Sequence, residues 1–351
     1  MRRNKKVTAI FIAAAIIFLM SGVSASAQRK SALSTSAGVV ALRNEFDSGA
    51  APKAGGYALD YCYYSPVGSN DKTKYPLVIY LHGIGHGSSV GSQLADSDMA
   101  YWASSELQAR FSQGGAFILL PRAPENKMVY WGTSLLESLR MVIDNFIDLH
   151  GANIDTTRIF IGGSSAGAEM TWDMIVAFPE YFAGAFPIAA TGIVTDRDTK
   201  ACSDVAIWMF ASTLDPVINY VTTTLPLWNN VCSNNNHPEN CRLSSFTSVV
   251  APGGDATSDN HHMAKVVTYD MHMLDGSTYP NVSTENGLGN TVALHSPNGM
   301  IYWMNSVSSD YTGSQGIGSG NINMTLISDA INSGRNIFLK LVNIIQNLFD
   351  L

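Results

Sequence analysis

Arg158-Ile159-Phe160-Ile161-Gly162-Gly163-Ser164-Ser165-Ala166-Gly167 is an apolar run that ends in a Gly-x-Ser-x-Gly turn. A stretch of helical character, 168–178, follows. Between a strand and a helix, this turn holds its middle serine, Ser165, in a strained backbone conformation with the hydroxyl exposed. The flanking glycines are needed because a Cβ there would collide with the neighbouring strand and helix. The helix that starts beside Ser165 aims backbone N–H groups at nearby negative charge. Ser165 is therefore the candidate nucleophile. The motif alone is weak, since serine and glycine are common; its setting carries the reading.

Outward from the turn, apolar runs alternate with helical spacings. Tyr75-Pro76-Leu77-Val78-Ile79-Tyr80-Leu81 and Ala116-Phe117-Ile118-Leu119-Leu120 read as strands buried on both faces. Residues 57–64, 185–189 and 205–211 read as further strands, with 265–269 as one more. Leu135, Leu136, Leu139, Val142, Ile143, Phe146 and Ile147 mark an amphipathic helix over 134–149. Residues 301–307 read as a late helix. The alternation predicts an α/β fold with a mainly parallel sheet, whose active site lies at the carboxyl ends of the strands. His82, Ser165 and Asp215 each stand just past such a strand.

A serine hydroxyl needs a base to take its proton, a group to orient that base, and N–H donors for the oxyanion. Asp215, after the strand at 205–211, is the candidate acid, with Asp270 as the fallback. An Asx turn ahead of Pro216 is the non-catalytic explanation for the same aspartate. Five histidines lie further on: His237, His261, His262, His272 and His295. His261 and His262 follow Ser258-Asp259-Asn260 and read as loop residues of a polar stretch. His295 lies just before the last helix, where a base reached from the last loop is expected, and is the first choice. His272 is the second. The oxyanion donors are expected from the N–H of Ala166 and of Ile84, with Gly85 as the alternative to Ile84. The Gly-rich turn at 83–87 lacks the Gly-Lys-Ser/Thr of a phosphate loop.

The chain has 351 residues and is 46% hydrophobic, enough for one large domain or two small ones. Met1-Arg2-Arg3-Asn4-Lys5-Lys6, an apolar run over 7–20 and Ala25-Ser26-Ala27 have the layout of a secretory signal peptide over 1–27. The run is short for a membrane span, and no span is expected after cleavage. Cleavage takes Lys+Arg from 21 to 17 against 28 Asp+Glu, a net charge of −11. An acidic chain without basic clusters repels phosphate backbones, which argues against nucleic acid as a partner. Four cysteines in an exported chain predict two disulfides. Cys232 and Cys241 bracket a polar loop and are expected to pair, leaving Cys62 with Cys202, although three connectivities exist. Paired C-x-x-C spacing is missing, so no metal site is expected.

Residues 28–54 read as a mobile leader, 55–312 as the catalytic domain and 313–320 as a Gly/Ser linker. An apolar stripe over 321–351 reads as an amphipathic helix docked on the domain, with surface or partner association as its alternative.

Together these residues resemble the secreted α/β-hydrolase esterases, a group that is polyhydroxybutyrate-depolymerase-like, feruloyl-esterase-like and predicted-peptidase-like. The resemblance runs from about residue 57 to about 307. It is carried by Asp155-Thr156-Thr157-Arg158-Ile159, the serine turn, Pro179-Glu180-Tyr181-Phe182-Ala183, Leu81-His82-Gly83, and Leu120-Pro121-Arg122-Ala123-Pro124 with Trp131. Two departures are Ala168, where many relatives have a second glycine, and the context Leu294-His295-Ser296-Pro297. The resemblance implies the α/β-hydrolase fold, with Ser165, Asp215 and His295 as a catalytic triad and no cofactor. It also implies an extracellular ester substrate, such as acetyl or feruloyl groups on polysaccharide. A serine peptidase and a non-catalytic binding module are the alternatives.

Overall fold

The computed structural model describes residues 37–310, except 55, 69–71, 85–89, 97–98, 125–130, 191–193, 248–260, 263–281 and 294–298. The expected signal peptide, linker and C-terminal helix lie outside the described residues, as do the strand expected at 265–269, Asp270, His272 and His295. Among the described residues nine strands form one sheet: β1 (Asp47–Ala50), β2 (Asp60–Tyr64), β3 (Tyr75–Leu81), β4 (Phe117–Pro121), β5 (Ile154–Ser164), β6 (Gly184–Ile188), β7 (Ala206–Ser212), β8 (Arg242–Phe246) and β9 (Val282–Asn286). Their order across the sheet is β1-β2-β4-β3-β5-β6-β7-β8-β9. From β4 to β8 every pairing is parallel. The outer pairings, β1 with β2, β2 with β4 and β8 with β9, are antiparallel.

Parallel strands need crossovers, and the crossover helices cover both faces. In β3 all seven residues are buried. Leu77, Ile79 and Leu81 face one apolar core, and Val78 and Tyr80 face the other. The first core is closed by Leu139, Ile143 and Phe146 of α1 (Leu136–His150) and by Met170 and Met174 of α2 (Ala166–Ala177). A capping box of Thr195 and Asp198 starts α3 (Asp196–Ala201). Leu227, Trp228 and Val231 of α4 (Leu225–Asn234) join the first core with Leu243 of β8. The second core takes Ile301, Trp303 and Met304 from α5 (Met300–Ser306). Trp303 stands edge-on to Trp208, with ring centroids 5.6 Å apart, and donates its indole N–H to the Asn240 carbonyl at 2.8 Å. Burying an aromatic of this size contributes about 2–3 kcal/mol only if its N–H is satisfied.

Part of the expected leader is ordered secondary structure: a helix, Ala37–Leu42, and the edge strand β1. Tying the N-terminal stretch into a sheet is what removes its mobility.

The expected disulfides are absent; all four cysteines are free thiols. Cys62 faces the second core and Cys202 the first, so the sheet stands between them, and a bridge needs Cα atoms within about 7 Å. Cys241 is fully buried while Cys232 stays partly exposed at the core's edge. Asparagines hold the loop between them instead. Asn235 Nδ2 donates to the Val205 carbonyl at 2.8 Å, and Asn236 Nδ2 to Asp204 Oδ1 at 2.7 Å. Burial raises the Cys62 and Cys232 thiols to about 11, and those of Cys202 and Cys241 to about 12.

Candidate active site

Ser165 sits between β5 and α2 with φ 54° and ψ −118°. A non-glycine residue there costs about 1–3 kcal/mol and persists only where its surroundings over-determine it. Here they do. The Ser165 N–H donates to the Ile188 carbonyl of β6 at 3.0 Å, and the Ser165 carbonyl accepts the Ala168 and Glu169 N–H groups at 2.9 and 3.1 Å. A Cβ on Gly163 would lie 2.6 Å from the Leu81 carbonyl oxygen and from the Gly167 carbonyl carbon; one on Gly167 would lie 2.0 Å from the Leu81 oxygen. The end of β3, the turn and α2 therefore meet backbone to backbone, which only glycine permits.

Asp215 follows β7, and its carboxylate is almost wholly buried. Oδ1 accepts the N–H groups of Val217 and Ile218 at 2.8 and 2.9 Å. That is an Asx turn. It leaves Oδ2 directed elsewhere, so the turn explanation and the acid explanation of Asp215 hold together.

Oδ2 lies 2.9 Å from Nδ1 of His262, whose Nε2 lies 3.0 Å from Ser165 Oγ. With Asp215 ionised, Nδ1–H donates to it, and the Nε2 lone pair is left to accept the serine proton. Serine, imidazole and carboxylate thus form one hydrogen-bonded line. The structure brings His262 to the place expected for His295, and His295 lies outside the described residues. Among the described residues, His262 is the imidazole that reaches Ser165. A base can arrive from any loop that passes over the strand ends, and His262 lies in a turn within a polar stretch. Apolar periodicity cannot mark such a position. The one available signal was the His261-His262 pair lying between the acid and the late helix.

The loop after β3 runs beside the serine. A Cβ on Gly83 would lie 3.8 Å from the Ser165 Cβ. His82, itself buried, receives the Ala123 N–H on Nε2 at 3.1 Å. Nε2 therefore carries no proton, so Nδ1–H donates to the Gly83 carbonyl at 2.8 Å. In a planar trans peptide the Ile84 N–H points opposite to that carbonyl, hence away from the His82 ring. The Trp131 indole donates to the His82 carbonyl at 2.8 Å and packs its ring against the imidazole. Ala166 opens α2, where the first N–H groups have no intrahelical acceptor. Gly85 lies outside the described residues. Among the described residues, no His, Cys, Asp and Glu side chains cluster so as to hold a metal ion, and no helix is long and apolar enough to cross a membrane.

A parallel sheet with helices on both faces and a serine turn at the centre of its carboxyl edge defines the class: the chain has the α/β-hydrolase fold. A thermostable esterase of known structure superposes with a TM-score of 0.55 at 27% identity, over 66% of this chain and 61% of that one. Poly(3-hydroxyalkanoate) depolymerase C of Paucimonas lemoignei is 30% identical over 131 residues, which are 36% of this chain and 30% of the depolymerase. The acylaminoacyl peptidase of Pyrococcus horikoshii superposes at a TM-score of 0.46 and 13% identity, over 65% of this chain and 40% of its own. The chain thus spans less than two thirds of the depolymerase and of the esterase. No family model matches it.

Proposed function

We propose that this chain is an exported serine hydrolase that cleaves carboxylic esters through an acyl-enzyme. The observation that carries the reading is the line Ser165 Oγ, His262 Nε2, His262 Nδ1, Asp215 Oδ2, with contacts of 3.0 and 2.9 Å. Ser165 attacks the ester carbonyl while His262 takes its proton. Asp215 holds the imidazole in the tautomer that accepts, and stabilises the imidazolium. The Ala166 and Ile84 N–H groups receive the oxyanion, the second of them aimed by His82 through the Gly83 carbonyl. His262 then gives its proton to the leaving alcohol, and water repeats the sequence on the acyl-enzyme.

Likeness to an esterase and a polyester depolymerase supports ester over amide cleavage. Feruloyl or acetyl groups on polysaccharide and hydroxyalkanoate esters share the chemistry that this site handles. The signal-like N-terminus supports action outside the cell.

The test is hydrolysis of p-nitrophenyl acetate, methyl ferulate, a hydroxybutyrate oligomer and a peptide anilide, with fluorophosphonate labelling alongside. Wild type is expected to label once and to hydrolyse esters. Ser165→Ala and His262→Ala are expected to lose turnover by several powers of ten, while His295→Ala retains it. Full turnover in Ser165→Ala would overturn the reading. A dead His295→Ala beside an active His262→Ala would move the base. Cleavage of the anilide alone would make the enzyme a peptidase.

A further inference from the structure

We propose that His261 and Ser212 form a strut that seats the imidazole of His262, so that the end of one strand, β7, sets both the acid and the base. The inference rests on the acyl-transfer reading above.

His261 and His262 are consecutive in a turn, yet their rings go to different partners. The His262 ring spans Asp215 and Ser165. Nδ1 of His261 lies 3.3 Å from Ser212 Oγ. Ser212 is fully buried and is the last residue of β7, three positions before Asp215. Its hydroxyl also accepts the Leu214 N–H at 3.2 Å, and its carbonyl accepts the Asp215 N–H at 3.3 Å. Ser212 is therefore already part of the turn that places the acid.

The hydroxyl proton has two possible acceptors. One is the Phe246 carbonyl of β8 at 3.4 Å. That carbonyl already accepts the Thr213 N–H at 2.8 Å and the Thr213 hydroxyl at 3.1 Å, which uses both of its lone pairs. The other is Nδ1 of His261, which accepts that proton in the tautomer protonated on Nε2 and donates to Oγ in the tautomer protonated on Nδ1, so the contact is made in both. The result is a closed frame: β7 to Ser212, Ser212 to His261, His261 by one peptide unit to His262, His262 to Asp215, and Asp215 back to β7.

Such a frame answers a problem of this site. An imidazole must meet an acceptor on one nitrogen and a hydroxyl on the other, within about 0.5 Å of the productive geometry. A further contact, made through the neighbouring residue to the element that carries the acid, restrains the backbone that bears the ring as well as the ring itself. His261 touches none of the reacting atoms, so it is a positioning residue.

The experiment uses the full chain, with kcat and KM for p-nitrophenyl acetate and the rate of fluorophosphonate labelling. Misplacing a reacting group by about 1 Å can cost about a hundredfold. His261→Ala is expected to lower kcat and the labelling rate roughly 10- to 100-fold, with KM unchanged within about twofold. In His261→Asn the amide oxygen stands where Nδ1 stood, and most of kcat is expected to return. The Ser212→Ala/His261→Ala double variant is expected to be no slower than the worse single variant, since the two residues act as one unit. Wild-type kcat in His261→Ala, a loss confined to KM, or no recovery in His261→Asn would overturn the inference. So would losses that multiply in the double variant. Should Ser212→Ala fail to fold, the pair His261→Ala and His261→Asn decides alone, with far-UV circular dichroism and Tm as the check on folding. His262→Ala separates the two levels. If it keeps turnover, His262 is not the base and the strut fails with that assignment, while full turnover in Ser165→Ala is what sinks the acyl-transfer reading; if His262→Ala is dead while His261→Ala is fully active, only the strut fails.

Discussion

Asp215→Asn is the perturbation whose outcome the structure specifies most completely. Oδ1 accepts two backbone N–H groups, at 2.8 and 2.9 Å. An asparagine must put its carbonyl oxygen there, because its NH2 would face two donors. The NH2 then occupies the place of Oδ2, 2.9 Å from His262 Nδ1. A donor now faces that nitrogen, so the ring must present its lone pair there and carry its proton on Nε2. Nε2–H points at Ser165 Oγ, and the base is lost. In serine hydrolases this wrong tautomer costs about 10⁴ in kcat, or about 5.4 kcal/mol at 1.36 kcal/mol per tenfold. The fold should survive, since both amide bonds of the Asx turn are kept. Asp215→Ala removes them as well and should cost stability of about 1–3 kcal/mol. Stopped-flow release of p-nitrophenol from the acetate gives the acylation rate, and thermal unfolding gives the stability. An Asp215→Asn enzyme within tenfold of wild type, with an unchanged Tm, would refute the tautomer argument.

Gly167→Ala drives a methyl to 2.0 Å from the Leu81 oxygen; overpacking of that kind costs about 1–3 kcal/mol, so both Tm and kcat should fall, and an unchanged Tm would show that the backbones are not in contact. Because burial raises all four thiols to about 11–12, they stay protonated at pH 8. The native chain should react slowly with Ellman's reagent, and the four cysteines should all react in denaturant without reductant; fewer than four would reveal a bridge. His150 packs 4.4 Å from the Phe146 ring, and burial lowers its pKa from 6.5. The unfolded chain then binds that proton at higher pH than the folded one, so this part of the stability is complete above about pH 6.5 and declines as pH falls through that value. His150→Gln should flatten the fall in the urea midpoint between pH 7 and 5, and an unflattened curve would show that another group is responsible.

What was legible in the sequence follows from how many faces a segment buries. β3 and β4 are apolar on both faces, and their runs mark them to within a residue. β8, Arg-Leu-Ser-Ser-Phe, was missed, although Leu243, Ser244 and Phe246 are buried. The Ser244 hydroxyl satisfies the Trp208 indole N–H at 2.8 Å and pairs with Thr284 Oγ1 at 2.7 Å, so a polar side chain does an interior task there. The edge strands β1 and β9 each keep exposed residues and therefore lack an apolar run. β5 begins at Ile154, four residues before its apolar run, because Tyr75 pairs with Ile154 across a register shift.

The site divides along the same line. Ser165 and Asp215 are placed by the strands that end just before them, and an apolar strand announces its own end. The base is under no such constraint. It needs to reach the strand ends from above, and the sequence around His262 is polar and aperiodic. Ranking histidines by their distance from a recognisable helix favoured His295 for that reason, although nothing physical couples a base to the last helix. What couples His262 to the site is contact with β7, made through Asp215 and, on our proposal, through His261 and Ser212. If that is right, the informative pattern is a pairing: a buried hydroxyl at the strand end, an acid three residues on, and two adjacent histidines able to bond to one each. Either half of that pattern is commonplace alone. Together they single out His262 as the base we propose.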